Sequence, residues 1–178
     1  MNGITSTHIE KLQSVDESYL RKILGAPITT AKEAIYMETG KILLFLIIKM
    51  RRLLYWWNLV NQKNESMLYK VYKAQESEPV KGDWNKILQD DKKYFEFEFT
   101  DDELLQKYPK KDKFKNAITK KAILLTERYI ISKKEGHTKL DDLKFEKLKC
   151  ASYLEDPRIS RREAKLLFQL RTRMYNVK

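Results

Sequence analysis

Residues 41–60, KILLFLIIKMRRLLYWWNLV, put apolar side chains around almost the whole circumference of a helix. Such a segment predicts a central buried helix. Its longest apolar run, Ile42 to Ile48, is bracketed by Lys41 and Lys49. A membrane span needs about 20 such residues, so no membrane partner is expected. Lys49, Arg51 and Arg52 interrupt the apolar surface and must either snorkel to water or meet an anion. Arg51 and Arg52 are neighbours, so on a helix they point about 100° apart and cannot both face one core. At least one of them is expected in an exposed groove, in contact with phosphate.

The rest of the chain has few places to turn. Five Gly and four Pro in 178 residues are too few for a sandwich or barrel, which needs a turn every ten residues or so. The 42% of hydrophobic residues is enough for a core. Together these predict an all-α fold of about seven helices in two lobes, 1–75 and 83–178. The linker, 76–82, contains Pro79 and Gly82.

Helical spacing marks His8 to Leu24, with Ile9, Leu12, Tyr19, Leu20 and Ile23 inward, closed by Gly25 and Pro27. A capping box at Thr30–Glu33 opens a short helix closed by Gly40. Asn61–Asn64 reads as a turn, and Ser66–Gln75 as a helix with Leu68, Val71 and Tyr72 inward. Asp83 can cap a helix from Trp84. Further capping boxes at Thr100–Glu103 and Ser160–Glu163 start two more helices, the second with Ala164, Leu167, Phe168 and Leu170 inward. Between them, Lys113–Ser132 and Leu140–Tyr153 also read as helices. Tyr94–Phe99 alternates with period two but has no partner strand, so a short extended connector pinned by its Phe side chains is expected.

Little here points to chemistry. Cys150 is the only cysteine, and the two histidines, His8 and His137, are far apart. That excludes an internal disulfide and any zinc-ligand spacing. Phosphate-binding and nucleophile-elbow motifs are absent. Phe99-Thr100-Asp101-Asp102 matches the aromatic-x-Asp-Asp string by which reverse transcriptases hold two metals. Those carboxylates require a hairpin turn and a third Asp upstream, whereas Glu-Leu-Leu-Gln-Lys-Tyr continues this string as a helix. Capping explains the same residues. Asp90-Asp91 and Asp141-Asp142 read as solvated pairs, and Cys150 as a packed side chain. The expectation is a non-enzyme with no catalytic residue, metal or cofactor. The N-terminus lacks a secretory signal, which points to an intracellular protein, nuclear or cytoplasmic.

The charge is more informative. The net value is +11; residues 1–60 carry +3, residues 61–108 carry −3 and residues 109–178 carry +11. A field of one sign concentrates polyanions. Candidate nucleic-acid contacts are Lys49, Arg51 and Arg52 with Trp56 as a stacking ring; the run Lys110, Lys111, Lys113, Lys115, Lys120 and Lys121; and Arg161, Arg162, Arg171 and Arg173 about the last helix. The lysine run fits a phosphate rail or a solvated face. Trp57 reads as core. Arg161 and Arg162 sit at a helix N-terminus, where the dipole disfavours cations unless an anion visits.

Val15–Asn61 resembles the region just after the polymerase core in non-LTR (LINE-type) retrotransposon endonuclease-reverse transcriptases. The matching elements are the Tyr-Leu-Arg-Lys-Ile-Leu-Gly segment from Tyr19 to Gly25, the Thr-x-x-Glu-Ala helix with Glu38 and Gly40, and the Arg51-Arg52 pair. Lys70–Trp84, KVYKAQESEPVKGDW, also fits, and the tail LLFQLRTRMYNVK resembles the segment preceding the zinc-binding Cys/His motif of those polyproteins. The resemblance covers nearly the whole chain. It implies a thumb-like lobe over 1–75 and a basic post-thumb lobe after it, without catalytic carboxylates or zinc ligands. It also implies contact with template RNA or an RNA/DNA duplex, with a polymerase core as a second partner. Two rival readings stay open: a helical protein-interaction or structural module with no nucleic-acid role, and a polymerase subunit acting in trans.

Overall fold

The computed structural model describes residues 6–62, 66–77, 84–134, 140 and 145–172. The fold is all-α. Among the described residues there are nine helices and no strand: α1 (Ser6–Leu24), α2 (Lys32–Thr39), α3 (Leu44–Asn61), α4 (Met67–Ser77), α5 (Trp84–Phe95), α6 (Asp101–Lys107), α7 (Lys111–Lys134), α8 (Ser152–Glu155) and α9 (Arg161–Arg171). None of these is long and apolar enough to cross a membrane.

The chain forms two compact units, one built on Phe45–Ala122 and the other on Thr7–Leu44 with Ile123–Lys178. These differ from the lobes expected at 1–75 and 83–178. Residues 78–82 of the expected linker, with Asp83, the turn residues 63–65, His137 and the Asp141-Asp142 pair, lie outside the described residues. The helices on either side of that linker, α4 and α5, belong to one unit. Long-range polar contacts explain why the first two helices go elsewhere. Glu38 of α2 accepts hydrogen bonds from Tyr153 (2.7 Å) and Arg171 (3.1 Å), and its carbonyl oxygen accepts from the Ala151 N–H at 2.8 Å.

In the Phe45–Ala122 unit, α3 buries Leu46, Leu53, Trp56, Trp57, Leu59 and Val60, as its apolar circumference demands. Phe114 of α7 receives aromatic rings from three sides: Trp56 (centroids 6.3 Å apart), Phe97 (5.8 Å) and Tyr108 (5.2 Å). Each such pair adds roughly 0.5–1.5 kcal/mol beyond simple burial. The alternating Tyr94–Phe99 stretch is no strand. Its first two residues finish α5, and Glu96 takes the left-handed conformation (φ 58°). The Phe97 N–H then returns to the Lys92 carbonyl at 2.8 Å and the Glu96 N–H to Lys93 at 3.0 Å. This is a Schellman ending, which turns the chain so that Phe95 and Phe97 are both buried. In α4 only Tyr72 is buried, whereas Leu68 and Val71 are exposed, contrary to expectation.

The other unit departs from its sequence pattern more strongly. Helix α1 buries Leu20, Leu24 and the charged Glu17, while Leu12, Val15, Tyr19 and Ile23 are left exposed. Polar contacts decide the orientation. Glu17 accepts from Gln13 (3.2 Å) and pairs with Lys32 (3.2 Å), and the Tyr36 hydroxyl donates to Asp16 while accepting from Gln13. The capping box expected at Thr30 is absent: α2 starts after Ala31, and the buried Thr30 hydroxyl has no partner among the described residues. The boxes at Thr100/Glu103 and Ser160/Glu163 both form. In α9 Phe168 is buried but Leu170 is exposed. The helix expected over 140–153 is also missing from its described part: residues 145–151 are irregular and only Ser152–Glu155 is helical. There the backbone bonds outward, Leu148 N–H to Glu127 (2.7 Å) and Ala151 N–H to Glu38.

Gly40 makes that crossing possible. It has φ 62°, its N–H caps α2 on the Tyr36 carbonyl, and a Cβ there would fall on the Lys149 and Cys150 backbone. Gly40→Ala meets both the left-handed penalty and a backbone clash that no flexible side chain can relieve. It should cost more than about 2 kcal/mol in urea unfolding.

Candidate nucleic-acid interface

The residues expected to meet nucleic acid separate into engaged and open groups. Asp91 of α5 has a fully buried carboxylate that accepts from Lys49 Nζ at 2.7 Å and from Arg52 Nε and Nη2 at 2.5 and 3.0 Å. These two cations of α3 are therefore taken by an internal partner, and Asp91 is not the solvated residue its Asp90-Asp91 setting suggests. Arg51, about 100° around the helix from Arg52, is exposed and carries no ion pair among the described residues. Trp56 is fully buried, with its indole N–H on Asp101 at 3.0 Å and the Lys92 ammonium 3.6 Å from its ring centroid. It has no face left for a base, so its expected stacking role is corrected to a core one. Trp57 is also buried and donates to the Tyr108 carbonyl at 2.9 Å.

The lysine run begins α7. Lys110, Lys111, Lys113, Lys115 and Lys120 are exposed, whereas Lys121 is half-buried against Glu96 at 2.5 Å. At 100° per residue, Lys111 and Lys115 lie along one edge of α7 and Lys113 and Lys120 on the opposite one. The run is thus a collar of charge about the helix start, and no single straight rail. In the other unit, Arg161 and Arg162 are exposed at the start of α9. Arg171 is held by Glu38 at 3.1 Å and lies 5.9 Å from the Tyr153 ring centroid. Arg173 lies outside the described residues. The excess charge is shared: Phe45–Ala122 has 17 basic and 12 acidic residues, and the remainder 19 and 13, giving +5 and +6.

No family model, curated protein or solved structure matches this chain.

The Asp101-Asp102 string has the capping geometry, with the Thr100 hydroxyl and Glu103 carboxylate reciprocally bonded. Asp101 does more than start a helix. Its Oδ1 accepts from Trp56 (3.0 Å) and Tyr72 (3.2 Å), and its Oδ2 from Tyr69 (3.1 Å) and Lys73 (2.8 Å). Burial alone would raise this carboxyl, yet hydrogen bonds from Lys73 and Trp56 hold it below the usual carboxylate range. Four donors saturate both oxygens. Among the described residues no group of three or more His, Cys, Asp or Glu could hold a metal ion. Burial pushes the Cys150 thiol up, away from thiolate reactivity.

Sequence reasoning missed Asp91, Lys92 and Glu38. For α5 the signal was present: Leu88, Asp91, Lys92 and Phe95 fall at i, i+3, i+4 and i+7, so an apolar stripe carries two charges in its middle. The engaged and open arginines should respond differently to truncation. Arg52→Ala strips the buried Asp91 of its bidentate partner and should cost about 2–4 kcal/mol, with Lys49 softening the loss. Arg51→Ala should stay within about 0.5 kcal/mol. Chemical denaturation of both variants measures the contrast.

Proposed function

We propose that the chain is a non-catalytic nucleic-acid-binding module that contacts phosphates of RNA or an RNA/DNA duplex, in the manner of a retrotransposon reverse transcriptase thumb and its following linker. The observation that carries this reading is the collar of exposed lysines, Lys110, Lys111, Lys113 and Lys115, at the start of α7. The positive end of the helix dipole already opposes cations there, and a phosphate backbone would relieve that repulsion. Exposed Arg161 and Arg162 repeat the arrangement on α9, and exposed Arg51 adds a fork for phosphate. Lys49, Arg52, Lys121 and Arg171 have internal carboxylates and contribute less.

A second reading has its own support. The exposed Leu12, Val15, Tyr19 and Ile23 follow helical spacing along α1, which suits a protein partner. Salt separates the two readings. If phosphates drive binding, log K for single-stranded RNA should fall with log salt at a slope of about −3 to −4 for four or five contacts. Replacing Lys110, Lys111, Lys113 and Lys115 by Ser in the full chain should flatten that slope by about 3 units without altering helix content. Binding that is insensitive to salt, or unchanged in that variant, favours the protein partner.

A further inference from the structure

A cavity of about 480 Å³ opens beside Asp101 in the Phe45–Ala122 unit. Lys92 lines it, yet this residue is only 4% exposed. The buried carboxylates Glu17, Glu38, Asp91 and Asp101 each have an oppositely charged partner. The Lys92 amine has no hydrogen bond or ion pair among the described residues, and only the face of Trp56 lies against it at 3.6 Å. Asp101 is nearby, but its oxygens are filled by Lys73, Trp56, Tyr69 and Tyr72. A largely buried lysine on a cavity wall, with an aromatic face and no carboxylate against its amine, is an arrangement that folding alone does not require, since a methionine or leucine would fill the same space without the desolvation cost.

We propose that Lys92 is an amine nucleophile on the wall of this cavity and takes up the carbonyl carbon of a small aldehyde or ketone as an imine. The cavity favours a neutral electrophile over an anion. Lys73, Lys92 and Lys93 line it together with Glu76, Asp90, Glu98 and Asp101, so carboxylates outnumber the amino groups and would repel a further negative charge. In the reaction the nitrogen lone pair of neutral Lys92 attacks the carbonyl carbon while the C=O π electrons move to oxygen. The amine loses two protons, the oxygen leaves with two protons as water, and no oxidant or reductant is consumed. Burial supplies the neutral amine, pushing Lys92 down to about 8 against the attraction of Asp101 and Glu76, with Lys73 adding to the fall.

The test is competitive reductive alkylation of the full chain with propanal and cyanoborohydride at pH 7.5, read lysine by lysine by mass spectrometry. A lysine titrating near 8 has roughly a hundredfold larger neutral fraction at that pH than one near its ordinary value. Restricted access leaves at least a tenfold faster reaction at Lys92 than at exposed Lys86 and Lys120. That preference should vanish in denaturant. Labelling of Lys92 no faster than Lys86, or a preference that survives unfolding, overturns the proposal. A Lys92→Arg variant should lose the fast site alone; the wild-type map decides the matter even if that variant does not fold.

Discussion

The Asp101 carboxylate gathers Trp56 from α3, Tyr69, Tyr72 and Lys73 from α4, and the start of α6 onto two oxygen atoms. An aspartate so placed is worth little as a net ion pair, because desolvation offsets most of the Coulomb gain. Its role is to make one arrangement of those helices acceptable and others costly: any shift leaves indole and phenol donors buried without acceptors. Asp91 does the same between α3 and α5, and Glu38 does it among α2, α8 and α9. These three buried carboxylates select the arrangement in which the apolar stripes pack.

This explains which parts of the fold could be read in advance. Helix type, the burial of 44–61 and two of three capping boxes follow from local rules, in which each residue answers to neighbours three or four positions away. The inward face of α1 does not. Its apolar stripe at Leu12, Val15, Tyr19 and Ile23 would win on hydropathy, but Glu17 and Gln13 find partners on Lys32 and Tyr36 that no local pattern encodes. Residues 145–151 fail as a helix for the same reason: their backbone donors are claimed by Glu127 and Glu38, far away in sequence.

The candidate interface was legible by composition and illegible by pairing. Counting lysines and arginines finds the basic stretches, and the open members, Lys110 to Lys115 with Arg51, Arg161 and Arg162, are among those counted. Only the fold separates them from Lys49, Arg52 and Arg171, whose partners lie tens of residues away. Trp56 shows the limit most plainly. Its neighbours Arg51 and Tyr55 are exposed while its own ring is sealed, and a rotation of 100° per residue is all that divides the two fates.

The two units also differ in when they can form. Phe45–Ala122 is one continuous stretch, complete once residue 122 has left the ribosome. The other unit waits for much later residues, because Glu38 meets Tyr153 and Arg171 across 115 and 133 residues. Until those arrive, α1 and α2 carry an unsatisfied carboxylate and apolar side chains awaiting partners, which is the condition in which nascent chains aggregate or recruit chaperones. Contacts of such long separation also slow folding. Removal of the chain from residue 150 onward would therefore strip Glu38 of Ala151, Tyr153 and Arg171 while sparing Phe45–Ala122.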